Sequence, residues 1–203
     1  MHPPRPHMPD KAAIEAMPLF ERLGLDRVHR VQDALQAEAA ALALQAHAVW
    51  GFDTESKPTF VKDQVSDGPH VLQLATPNGA WVFQLQDPGC RAVAARLLAW
   101  DGAAKVGFGL GDDQKRIRAK LGVEATRVLD LNSVFRRMGH RHDMGVKGAV
   151  ALVFQRCFQK SKKAATSNWA QAVLTDHQVL YAANDAWGAL RVYQGLGLGG
   201  AAG

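Results

Sequence analysis

The stretch Ala48-Val49-Trp50-Gly51-Phe52-Asp53-Thr54-Glu55 constrains this chain more than any other. Its apolar run, rich in β-branched and aromatic residues, predicts a buried strand over 49–54. A strand has period two, so Asp53 and Glu55 leave it on the same face. Two carboxylates held that close repel each other unless a positive charge lies between them. A buried strand with such a pair at its mouth points to a divalent-cation site built from oxygen ligands. By itself D-x-E is also a common way for a strand to meet solvent. Its meaning therefore depends on whether carboxylates elsewhere in the chain answer it.

At 203 residues the chain fits one domain with a sizeable core. A hydrophobic fraction of 47% and a charged fraction of 21% are those of an ordinary globular protein. Lys and Arg number 24 against 19 Asp and Glu, a net charge of +5, which favours a polyanionic partner. That excess counts for more if the acidic residues gather at one site, since the remaining surface is then more basic than the sum. Cys90 and Cys157 make no C-x-x-C motif and read as buried thiols in a reducing compartment. No apolar stretch is long enough to span a bilayer, and the N-terminus lacks the apolar core of a secretion signal. The expectation is a cytoplasmic protein with no membrane partner.

Residues 1–10, Pro- and His-rich, are expected to form a disordered tail, and the Gly-rich 195–203 a flexible one. Residues 11–194 are expected to form a single domain that opens with a helical segment over 11–44. A polar loop over 56–69 follows the first strand. Strands over 71–75 and 80–85 flank Thr76-Pro77-Asn78-Gly79, whose Asn-Gly is a hairpin signal. Helices are predicted over 88–100, 112–121, 132–138 and 146–154, with strands over 105–109 and 127–131. Thr175-Asp176-His177-Gln178 has capping-box spacing and starts a helix running to about residue 194. This alternation predicts a mixed sheet flanked by helices, a layered α/β domain.

Two later segments answer the first pair. In the last helix Tyr181 and Asp185 are neighbours at i, i+4, on a stripe set off from the apolar one. Asp185 there can complete a metal site, with Tyr181 orienting a water beside it. In Gly109-Leu110-Gly111-Asp112-Asp113-Gln114, Asp113 shares a helix face with Ile117 and Leu121 and leans inward, while Asp112 reads as a solvated or capping residue. Lys115, Arg116, Arg118 and Lys120 make the same helix basic. His140-Arg141-His142-Asp143 lacks a second ligand cluster and reads as a basic turn, not a zinc site.

Taken in order, Phe52-Asp53-Thr54-Glu55, Val106-Gly107-Phe108-Gly109 through Asp113-Gln114, and Leu180-Tyr181-Ala182-Ala183-Asn184-Asp185-Ala186 resemble the motifs of DEDD-type 3′→5′ exonucleases. The subclass is the one whose third motif is Tyr-x-x-x-Asp, the ribonuclease D and Werner-syndrome exonuclease family. Leu72-Gln73-Leu74-Ala75 and the stretch from Lys162 to Ser167-Asn168-Trp169 are similar to further family segments. The resemblance covers about 48–193, and Gly-Asp-Asp-Gln and Ser-Asn-Trp lean toward its Werner-like branch.

The resemblance implies a ribonuclease H-like mixed sheet with helices on both faces. It also implies a two-metal phosphodiester hydrolase acting on nucleic acid with a free 3′ end and releasing nucleoside 5′-monophosphates. Asp53, Glu55, Asp113 and Asp185 would hold two Mg²⁺ or Mn²⁺ ions, with Tyr181 beside the attacking water. DNA is the favoured substrate. The alternatives are an exoribonuclease acting on RNA or short oligoribonucleotides, and a catalytically silent nucleic-acid-binding module. Lys115, Lys162 and Trp169 are the candidate nucleic-acid contacts, Trp169 as a stacking platform or part of a phosphate site.

Overall fold

The computed structural model describes residues 8–59 and 67–199. Six strands form one mixed sheet: β1 (Val28–Val31), β2 (Val49–Glu55), β3 (Val71–Thr76), β4 (Gly79–Gln84), β5 (Ala104–Gly107) and β6 (Val128–Asp130). Their order across the sheet is β1-β4-β3-β2-β5-β6. β3 runs antiparallel to both β2 and β4, whereas β5 and β6 extend the sheet parallel to β2 and β1 lies parallel to β4. β2 is thus a central strand: β5 pairs with its first half, over Val49–Gly51, and β3 with its second, over Gly51–Glu55.

Around the sheet lie α1 (Lys11–Ala16), α2 (Ala34–Gln45), α3 (Pro88–Ala99), α4 (Gly111–Leu121), α5 (Leu131–Arg137), α6 (Gly145–Phe154), α7 (Lys162–Ala165) and α8 (Asp176–Gly195). Two apolar layers separate them. Leu44, Trp50, Leu72, Phe83 and Leu97 fill one face under α2 and α3. Val71, Ala75, Val82, Ala183 and Trp187 fill the other, under α8 with α5 and α6. Helices therefore cover both faces, as in ribonuclease H-like exonuclease domains.

α8 begins where Thr175 and Gln178 form a complete capping box. Thr175 Oγ1 accepts from the Gln178 amide at 3.3 Å, and the Thr175 amide donates to Gln178 Oε1 at 3.0 Å. The helix lies close to the sheet because its facing residues are small. At Gly51 of β2, a Cβ would fall 2.0 Å from the Ala186 carbonyl oxygen, so only glycine lets helix and strand approach this closely.

Three expectations need correction. The helical segment over 11–44 is broken into α1, a short 3₁₀ turn at Leu25–Arg27, the edge strand β1 and α2. Pro18 and Gly24 interrupt it. Val28 and Val31 are both buried although three residues apart, which is the spacing of a helix face rather than of an alternating strand. Asp10, expected in the disordered tail, caps α1 by accepting from the Ala13 amide at 2.8 Å. The C-terminal tail, too, is partly ordered: Gly195 ends α8, and the Tyr193 hydroxyl donates to the Leu198 carbonyl at 2.8 Å. Most of the expected N-terminal tail, 60–66 of the polar loop and 200–203 lie outside the described residues.

Candidate active site

The end of β2 and the middle of α8 meet at one point. Asp53, Glu55 and Asp185 each bring a carboxylate oxygen there, all within 4.8 Å of one another. Among the described residues they are the one group of three or more His, Cys, Asp or Glu side chains close enough to share a metal ion. Strand period explains the first two ligands, and the close seating of α8 on Gly51 explains the third.

The electrostatics fit such an ion. Burial, then the charges of Asp185 and Asp113, push Asp53 well above the ordinary carboxylate range. Burial, then Asp53 and Asp185, push Glu55 up to about 9. Burial also raises Asp185, against the opposing pull of Lys160 and Tyr181. A cluster of oxygen donors whose members resist ionisation together calls for a hard divalent cation.

Asp113, on the first turn of α4, stands beside this trio. It accepts a hydrogen bond from the Thr54 hydroxyl, so it is tied to the residue between Asp53 and Glu55. Its carboxyl is raised by burial, and its charge reaches Asp53. What sets α4 in place is Asp130, at the end of β6. Its carboxylate accepts from the Gly109 and Leu110 amides, both at 3.1 Å, and from the Asn132 amide at 2.9 Å. In sequence Asp130 is only an acidic residue at the end of a short strand, and nothing there marks its role.

Tyr181 lies one turn before Asp185, buried to 6% exposure, close enough to that carboxyl to influence its ionisation. Burial, then Asp185, raises the phenol, so it stays protonated at neutral pH. Lys160 joins the site without belonging to any of the sequence motifs. Its Nζ lies 2.6 Å from Asp185 Oδ2 and 5.2 Å from the centre of the Tyr181 ring. Burial opposes its charge, yet Asp185, Tyr181 and Asp53 together raise its pKa, so it is a fixed cation at the edge of the trio. In Phe158-Gln159-Lys160-Ser161-Lys162-Lys163 nothing local distinguishes it from the other two lysines.

The three candidate nucleic-acid contacts fare differently. Trp169 is 0% exposed and packs against Tyr181 with ring centroids 5.9 Å apart. It is a core residue under the site and offers no face to a base, which corrects the stacking assignment. Lys162 is exposed at the start of α7. Lys115 is exposed and pairs with Asp112 at 2.9 Å. The expected basic turn is held by an Arg136–Asp143 pair at 2.5 Å.

A mixed six-stranded sheet, helices on both faces and a carboxylate cluster at the end of its central strand define a ribonuclease H-like nuclease domain. The chain belongs to the 3′-5′ exonuclease family, whose profile matches residues 28–199. It is similar to the mouse bifunctional 3′-5′ exonuclease/ATP-dependent helicase WRN, 26% identical over 163 residues that cover 79% of this chain and 12% of that protein. The fold matches the Nibbler EXO domain of Aedes aegypti with a TM-score of 0.73 at 24% identity, covering 86% of this chain and 89% of the other. It also matches Trypanosoma brucei RNase D in complex with RNA U12, with a TM-score of 0.73 at 20% identity, over 91% of this chain and 64% of that one. The chain spans between 12% and 27% of the length of the curated relatives it matches.

Proposed function

We propose that this domain hydrolyses nucleic acid from its 3′ end, releasing nucleoside 5′-monophosphates, with two divalent ions held by Asp53, Glu55, Asp185 and Asp113. The observation that carries this reading is the carboxylate trio within 4.8 Å, on the strand and helix that carry the family motifs. When bound, such ions lower the pKa of a water and stabilise charge on the reacting phosphate. The protein's own residues do the positioning. Asp53 feels the charges of both Asp185 and Asp113 and would hold divalent ions together with them. Tyr181, protonated and one helix turn before Asp185, would orient the attacking water. Lys160 adds positive charge where the phosphate must enter. DNA is the preferred strand in this reading, on the strength of the Gly-Asp-Asp-Gln and Ser-Asn-Trp segments. RNA is the second reading, favoured by the likeness to an RNase D that holds RNA.

Matched single-stranded DNA and RNA oligomers, each free or blocked at the 3′ or 5′ end, test this with Mg²⁺ and then Mn²⁺. The expected result is stepwise release of mononucleotides that a 3′ block stops and a 5′ block does not, with loss of activity in Asp53→Ala. Internal cuts, release from the 5′ end or full activity in Asp53→Ala would refute it. Faster turnover of RNA would replace the first reading with the second.

A further inference from the structure

A groove of about 620 Å³ opens beside the carboxylate trio, with Asp185 of the trio in its lining. Tyr181 and Lys160 line it as well, together with Arg22 and Lys147. Its volume lies in the range of sites that enclose an organic ligand. One wall is the segment between α1 and the 3₁₀ turn, and this wall is pinned on both sides of Arg22. Before it, the Cys157 amide donates to the Pro18 carbonyl at 2.9 Å, and the Phe20 amide donates to the Cys157 carbonyl at 3.0 Å. After it, the Leu23 amide donates to Asn184 Oδ1 at 2.8 Å, and Asn184 Nδ2 donates back to the Leu23 carbonyl at 3.2 Å. Asn184 is buried and immediately precedes Asp185, so the wall is fastened to the helix turn that carries a metal ligand.

Lys160 is held by Asp185, but the other two cations of the groove are weakly engaged. Arg22 meets Gln159 at 3.5 Å, and Lys147 meets Glu15 at 3.9 Å, a carboxylate that Lys11 shares at the same distance. Leu19, 62% exposed, adds apolar surface to the same groove. Several basic side chains beside an apolar flank match a strand of alternating phosphates and bases. We propose that this groove binds the single strand that enters the active site, with Lys160, Arg22 and Lys147 contacting its phosphates. This rests on the exonuclease reading. It gives the chain before β1 a function: it builds one wall of the substrate site.

The test measures binding of 5′-fluorescein-labelled dinucleotides and hexanucleotides to full-length Asp53→Asn protein, by anisotropy over a series of salt concentrations. Arg22→Ala and Lys147→Ala in that background should each raise the hexanucleotide Kd about three- to tenfold. Each should also lower the slope of log K against log salt by about 0.7, the share of one single-strand phosphate contact. The dinucleotide should lose less, and Arg22→Lys should restore the slope. Arg96→Ala, the same charge loss under the opposite face of the sheet, should change nothing, and melting curves establish that each variant is folded. Unchanged hexanucleotide affinity and slope in Arg22→Ala and Lys147→Ala, or equal losses in Arg96→Ala, would overturn the proposal. If wild-type protein degrades oligonucleotides while these variants bind normally, the groove falls and the function stands. If the groove behaves as expected but wild-type protein releases no mononucleotide, the function falls and the groove stands.

Discussion

At Glu55 the fold holds a carboxyl whose pKa is about 9, well above its unfolded value of 4.5. An acid raised on folding contributes its full stability below the unfolded value and loses it as pH climbs to the folded one. Metal-free protein should therefore lose stability steadily between about pH 4.5 and pH 9, with Asp53 and Asp185 acting in the same direction. Mn²⁺ binding needs the ionised cluster, so its affinity should rise across that window, and saturating Mn²⁺ should cancel the loss of stability. Thermal melts in chelator and in Mn²⁺ over that range check this; a flat profile in chelator would contradict it. Tyr181 and Asp185 should separate cleanly. Tyr181→Phe removes a donor but no ligand, so kcat should fall about a hundredfold or more while Mn²⁺ affinity holds. Asp185→Asn should lose both, and it also frees Lys160 from its partner. Calorimetric Mn²⁺ titrations beside single-turnover rates distinguish the two, and equal metal loss in Tyr181→Phe would remove its assigned role.

Gly51 couples two elements, and its replacement tests whether the seating of α8 on β2 builds the site. A Cβ there meets Ala186 backbone, which cannot rotate away, so Gly51→Ala should cost about 1–3 kcal/mol and push α8 off the strand. Because Ala186 adjoins Asp185, activity should fall even where the variant remains folded. Leu97→Ala, a cavity under the opposite face costing about 2–5 kcal/mol, should keep its kcat below its melting point. Equal kcat in both variants would show that helix seating is not critical. The elements that read most clearly from sequence were those with strong local chemistry: β2 by its apolar run, the β3–β4 hairpin by Asn-Gly, and α8 by its capping box. β1 was hidden because it is four residues long and its two buried valines keep helical spacing, so only pairing with β4 reveals it. The same logic governs the site. Asp53, Glu55, Asp113, Tyr181 and Asp185 stand in motifs whose spacing reflects one strand or one helix turn. Lys160 and Asp130 act across elements, and Trp169 is buried by packing that no neighbouring residue announces.

Across the whole molecule, the basic excess of +5 is spread over a surface whose acidic groups are partly drawn into one cluster. Binding of any nucleic-acid strand should therefore weaken steeply with salt. α8 has the opposite, inward-facing part. It packs on β1, β2, β3, β4 and β5, and from Val179 to Leu190 every residue but Leu180 is buried. A helix that touches five of the six strands cannot open without opening the sheet's covered face. Its central amides, from Ala183 to Leu190, should exchange with deuterium only at the rate set by global unfolding, among the slowest in the chain. Faster exchange there than in β3 would reveal an independent opening of α8. Asp185 thus belongs to the last part of the protein to come apart, and loss of catalysis on heating should track loss of the whole fold rather than precede it.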